Sequence, residues 1–80
     1  MFTVYALYNS ESKKIYIGQT ANLDKRLWEH NQKFGNHFTA KITGEWRLIY
    51  KEEYNTRSEA IKREKSLKSF KGREFLKNLI

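Results

Sequence analysis

The sequence predicts an α/β (α+β) fold: a small three-stranded, mostly antiparallel sheet flanked by helices in the order ββαβαα. Three observations carry that expectation. Two runs rich in aromatic and β-branched residues, Phe2–Tyr8 and Ile15–Gln19, flank the turn-forming Asn9-Ser10-Glu11-Ser12, a hairpin signal. Two capping patterns, at Asn22 and at Thr56-Arg57-Ser58-Glu59, open helical stretches. A third alternating run, Trp46–Tyr54, lies between the two helical stretches.

Each element follows in order. With Asn9–Ser12 as the loop, Tyr8 pairs with Lys13 and Tyr5 falls opposite Tyr16. A shift of two residues leaves both tyrosines on one face, because strand side chains alternate with period 2. Val4, Ala6, Tyr8, Ile15 and Ile17 then share the other face and build core, while Thr3, Leu7 and Gly18 join the tyrosines. Gly18 beside two phenols leaves an open spot where a ligand backbone can approach. The helix after Asn22 runs to about Lys33 with Leu23 and Leu27 inward, and residues 34–44 read as irregular. In the third strand Trp46, Leu48 and Tyr50 alternate with Arg47, Ile49 and Lys51. The helix opened by Thr56 runs to about Phe70. Gly72 interrupts, and Phe75, Leu76, Leu79 and Ile80 mark a short last helix with one face inward.

Composition bounds the chemistry. Eighty residues make one domain with a modest core, and twelve aromatics can supply large buried areas. The absence of cysteine excludes disulfides and thiolate metal sites. No apolar stretch approaches the roughly 20 residues that span a bilayer, and the opening residues are not a signal segment, so a cytoplasmic protein without membrane contact is expected. Lys and Arg outnumber Asp and Glu by 16 to 9, a net charge of +7. Residues 57–80 hold eight basic and three acidic groups, so five of those seven charges lie there. Such a field draws polyanions, although a lysine-rich helix that merely keeps a protein in solution has the same composition.

Several side chains stand out. Tyr5 and Tyr16 form a cross-strand pair, which is also a common sheet stabiliser. Arg26 and His30, four apart, project from one side of the first helix. Arg26 borders the buried stripe, where a guanidinium fork suits a phosphate oxygen pair; Asp24 or Glu29 is the structural alternative. His30 alone reads as a polar group on a helix surface. Glu64 is the most unusual. Ala60 and Ile61 precede it by four and three residues and Leu67 follows by three, so a carboxylate occupies a core position. It needs a cation, either a metal or a buried partner such as Arg26.

Val4-Tyr5, then Tyr16-Ile17-Gly18-Gln19-Thr20, Asn22-Leu23, Arg26-Leu27 and His30 together resemble the GIY-YIG endonuclease family. The likeness continues through Trp46–Tyr54 and Glu59-Ala60-Ile61-Lys62-Arg63-Glu64 and covers essentially the whole chain. It is similar to small bacterial members that stand alone and to the amino-terminal nuclease domain of a bacterial excinuclease. One departure is that Thr3-Val4-Tyr5 lacks the glycine of the first motif. The resemblance implies a metal-dependent endonuclease that hydrolyses DNA phosphodiester bonds. Glu64 would hold one Mg²⁺ or Mn²⁺, largely assembled with substrate, and Arg26 would neutralise the phosphoryl oxygens. Tyr5 or Tyr16 would orient and deprotonate water, with Tyr5 preferred as the base. An ordinary phenol pKa near 10 needs nearby positive charge for that task. His30 would touch phosphate or relay a proton. Lys62, Lys65, Lys68, Lys71 and Arg73 would bind the flanking backbone, and Asn78 matches by distance an asparagine of larger members. No small-molecule cofactor is implied. Because the likeness leaves no residues for an attached DNA-binding domain, target choice would come from DNA shape, a protein partner or self-association. Two other classes stay open: a binding module without turnover, and a structural or protein-interaction domain in which the tyrosines and Glu64 only pack. Nothing in the residues chooses between repair, mobile-element defence and recombination.

Overall fold

The computed structural model describes residues 1–32 and 42–80. Its elements are β1 (Phe2–Asn9), β2 (Lys14–Thr20), α1 (Leu23–Gln32), β3 (Arg47–Tyr54), α2 (Arg57–Leu67) and α3 (Phe70–Lys77), the expected ββαβαα order. The sheet runs β2-β1-β3 and is antiparallel throughout, with β1 central and β2 at an edge. Most of the stretch expected to be irregular, and the helix end near Lys33, lie outside the described residues.

Period-2 alternation gives β1 two working faces. Val4 and Ala6, with Ile17 of β2, pack against Ala60 and Leu67 of α2 and Leu76 of α3. Tyr5 and Leu7, with Trp46, pack against Leu23 and Leu27 of α1. The result is a three-layer sandwich whose central strand is buried on both sides from Val4 to Leu7. Tyr8, expected in the first of these cores, is half-buried instead, with the Arg47 guanidinium 6.0 Å above its ring.

The hairpin register is shifted by two from the simplest expectation. Tyr5 faces Gly18, Leu7 faces Tyr16 and Asn9 still pairs with Lys14, so the loop is Ser10–Lys13. The reason is the side chain of Asn9. It is fully buried, its Oδ1 accepts from the backbone N–H of Glu11 (3.1 Å) and Ser12 (3.0 Å), and its Nδ2 donates to the Thr43 carbonyl (2.8 Å). Asn9 thus opens an Asx turn while staying paired in the strand, and the loop starts after it. Lys13 closes the loop in the left-handed region (φ 57°).

β3 departs from simple alternation. Ala6 pairs with Tyr50 but Leu7 pairs with Leu48, so Ile49 is a bulged extra residue. Trp46 and Leu48 therefore serve the α1 core, whereas Tyr50 and Tyr54 pack against the other. The expected single face of Trp46, Leu48 and Tyr50 is split by this bulge.

α2 is capped as expected, Thr56 Oγ1 accepting from Glu59 N at 3.2 Å, but it ends at Leu67 rather than near Phe70. Ser69 stops it by capping α3, its Oγ accepting from Gly72 N. Gly72 lies inside α3 and interrupts nothing. A Cβ there would sit 2.5 Å from Leu67 Cα, Leu67 O and Ser66 O, so the glycine permits the tight α2–α3 corner. Of the last apolar residues, Leu76 is buried and Phe75 meets Tyr50 edge-on at 5.2 Å. Leu79 and Ile80 are exposed, which narrows the inward face expected for this helix.

Candidate active site

β1 and β2 present Tyr5 and Tyr16 to α1, with ring centroids 6.1 Å apart. Gly18, opposite Tyr5, makes the arrangement possible. A Cβ on it would lie 3.0 Å from both the Tyr5 hydroxyl and Tyr16 Cε1. The open spot expected beside this glycine is filled from within, by the Tyr5 phenol.

α1 closes over the pair. Asn22 Oδ1 accepts from Lys25 N at 3.1 Å, and Asn31 clasps Trp46 through its backbone N–H (2.7 Å) and carbonyl (2.9 Å). Held at both ends, the helix drives His30 inward to 2 % exposure. The expectation of a surface histidine is corrected: His30 Nε2 and the Tyr5 hydroxyl share a 2.9 Å hydrogen bond, and its ring lies 4.8 Å from that of Tyr16. One turn earlier, the positive charge of Arg26 acts on the Tyr5 phenol, and Arg26 pairs with Glu29 at 3.4 Å. Burial, reinforced by the neighbouring Tyr16, pushes the Tyr5 pKa up to about 12, and Arg26 only partly opposes this. The expected lowering of Tyr5 by positive charge is reversed, because removing a phenolate from water outweighs one guanidinium at the helix edge.

Tyr5, Tyr16, Arg26 and His30 thus come together on the α1 side. Glu64 belongs to α2, on the opposite side of the sheet. Its carboxylate is half-buried (22 % exposed) and accepts from Lys68 Nζ at 2.7 Å. The alternative ion pair with Arg26 is not the one formed, since Arg26 takes Glu29 and Glu64 takes Lys68. The two sides meet at the β2 edge. There a groove of about 470 Å³ is floored by Tyr16 with Ile15 and Ile17 and rimmed by Lys13, Lys14, Lys68, Arg73 and Lys77. Of the expected nucleic-acid contacts, Lys68 and Arg73 line this groove, whereas Lys62, Lys65 and Lys71 are exposed elsewhere on α2 and α3. Lys13, Lys14 and Lys77 were not singled out in the sequence, although a lysine pair ending the hairpin loop marks the spot. A shallower hollow of about 390 Å³ gathers Arg26 with Lys25 and Arg57. Asn78 caps the end of α3. Among the described residues, no group of three or more His, Cys, Asp or Glu converges to hold a metal ion.

Fold and site together define a class. The model of the GIY-YIG catalytic domain matches residues 1–78, and this chain belongs to that nuclease family. More particularly, its relatives are UPF0213 proteins. One from Staphylococcus saprophyticus is 38 % identical over 63 residues, covering 79 % of this chain and 76 % of the relative. One from Staphylococcus epidermidis is 36 % identical over the same shares. The solution NMR structure of a UPF0213 protein from Bacillus halodurans superposes with a TM-score of 0.56 at 28 % identity, over 99 % of this chain and 85 % of that one. No helix among the described residues is long and apolar enough to cross a membrane.

Proposed function

We propose that this chain is an endonuclease that hydrolyses DNA phosphodiester bonds with one divalent cation at Glu64. The observation that carries the reading is a basic groove at the β2 edge that includes Tyr16, whose ring also packs against Tyr5 and His30, in a member of a nuclease family. The donor set fits a hard cation held loosely. Glu64 offers a single carboxylate that already accepts a cationic group, and such an ion would take its other ligands from water and phosphate. When bound, the ion would supply Lewis-acid stabilisation to the phosphate and the leaving oxygen.

The protein's own groups divide the remaining work. Tyr5 is fully buried with a pKa near 12, about 3 kcal/mol harder to ionise than an ordinary phenol. It serves best as the holder of His30, with which its hydroxyl shares a hydrogen bond. Tyr16, half-buried at the floor of the groove, is the phenol that meets water, so it takes the role of orienting and deprotonating the nucleophile. This reverses the preference for Tyr5 drawn from sequence. Arg26, held to Glu29 by one long contact, can exchange that partner for a phosphoryl oxygen as charge gathers there. The groove cations hold the flanking backbone.

A module that binds nucleic acid without turnover is the second reading, favoured by the lysine already seated on Glu64. Plasmid incubated with Mn²⁺ and with EDTA separates the two. The nuclease nicks only with metal, and a Glu64→Gln variant loses on the order of a thousandfold in rate while still shifting DNA on a gel. Undiminished nicking by folded Glu64→Gln would remove the metal role, and gel shifts without any nicking would favour the binder.

A further inference from the structure

Lys68, expected on the nucleic-acid backbone, is instead engaged with Glu64. It is bound twice to the same residue. Its backbone N–H donates to the Glu64 carbonyl at 3.1 Å, and its ammonium donates to the Glu64 carboxylate at 2.7 Å. Its own carbonyl accepts from Arg73 Nε at 3.1 Å, so the main chain is tied down and only the side chain is free to swing. That side chain is 46 % exposed and forms part of the groove wall with Tyr16. The ammonium therefore has one anion now and a place for a second, because four other cations on the groove rim would draw a phosphate to it.

We propose that Lys68 is a placeholder cation on Glu64, released to a phosphate when nucleic acid enters the groove. The proposal rests on the reading of Glu64 as the metal-holding group. In the free protein the ammonium balances the half-buried carboxylate, and a divalent ion must displace it to bind. A phosphate in the groove offers Lys68 another partner, and the freed carboxylate takes the ion. Nucleic acid and metal then bind with positive coupling, and linkage requires the effect to be reciprocal. The free enzyme is spared a primed metal site, and the site assembles only around substrate.

The test is a Mn²⁺ titration of the DNA-free protein, read as free Mn²⁺ by electron paramagnetic resonance, with folding checked by thermal melts. Removing a solvent-exposed ion pair of this kind should tighten Mn²⁺ binding about two- to fivefold in Lys68→Met. Lys68→Arg should match the wild type, and Glu64→Gln/Lys68→Met should lose the gain. Lys71→Met removes the same charge away from the groove and should leave the affinity unchanged. An affinity in Lys68→Met no tighter than wild type, including no measurable binding in either, overturns the proposal. So does an equal gain in Lys71→Met, which would make the effect one of net charge. A gain in Lys68→Met together with full nicking by Glu64→Gln would leave the lysine exchange standing and sink the catalytic reading of Glu64 instead.

Discussion

Two clusters of tyrosine, arginine and glutamate lie on opposite faces of the same sheet, and they differ in how completely their bonding capacity is used. On the α2 face, Glu52 accepts from both Tyr50 and Tyr54 hydroxyls. It also takes the Arg63 fork through three N–H···O contacts of 3.0–3.2 Å. On the α1 face, Arg26 has one carboxylate contact, to Glu29, at 3.4 Å. The first cluster is saturated, so its charges cancel and its rings serve packing. The second keeps an arginine whose ion pair is weak enough to exchange. Residue type alone does not separate them; the unused valence does.

The largest expected difference is between the two arginines. Arg26→Ala should lower cleavage about 10²–10³-fold while the protein melts within a few degrees of wild type. Arg63→Ala should leave the rate per folded molecule nearly unchanged and cost about 1–3 kcal/mol of stability, because Glu52 is left half-buried with its charge uncompensated. Denaturant melts and nicking rates measured on both variants would break the comparison if Arg63→Ala lost more activity than Arg26→Ala.

A second, smaller effect sharpens where the polyanion runs. Replacing Lys13, Lys14 and Lys77 together by Gln should flatten the dependence of log K on log salt by about 2 to 3 for duplex DNA. The same treatment of Lys62, Lys65 and Lys71, none of which lines the groove, should flatten it less. Fluorescence anisotropy across a salt series decides, and the opposite ranking would move the path off the β2 edge.

The smallest effect concerns pH. Burial resists the Glu52 charge, but Arg63, Tyr50 and Tyr54 outweigh it and hold the carboxyl below its ordinary value of 4.5. The stability this contributes is complete above that value and fades as pH falls through the lowered one. Melting temperature should therefore drop by a few degrees more in wild type than in Glu52→Gln between about pH 6 and pH 3. Equal drops would show that the cluster is not the saturated anchor described.

Much of the arrangement around the candidate site was legible because its signals are local. Asn22 and Thr56 cap their helices within four residues, and period 2 places Tyr5 and Tyr16 on one face under either register. The order of strands and helices follows from such signals, as does the basic excess near the carboxyl end. What misled was long-range. The register turned on a buried Asn9 amide that reaches Thr43, thirty-four residues away. The split of Trp46 and Leu48 from Tyr50 turned on a bulge that only pairing with β1 creates.

The sequence by itself determined the element order, the family likeness and the set of residues that could matter, since these depend on residue type and on spacings of a few positions. The tertiary structure alone decided their states. It buried Tyr5 and raised its pKa, drew His30 inward from the helix surface and gave Glu64 to Lys68 instead of Arg26. It also brought Lys13 and Lys14 beside Lys68 and Arg73 at one strand edge. Desolvation and charge pairing depend on which atoms lie within a few ångströms, and chain positions fifty residues apart acquire that distance only when the sheet and its helices close.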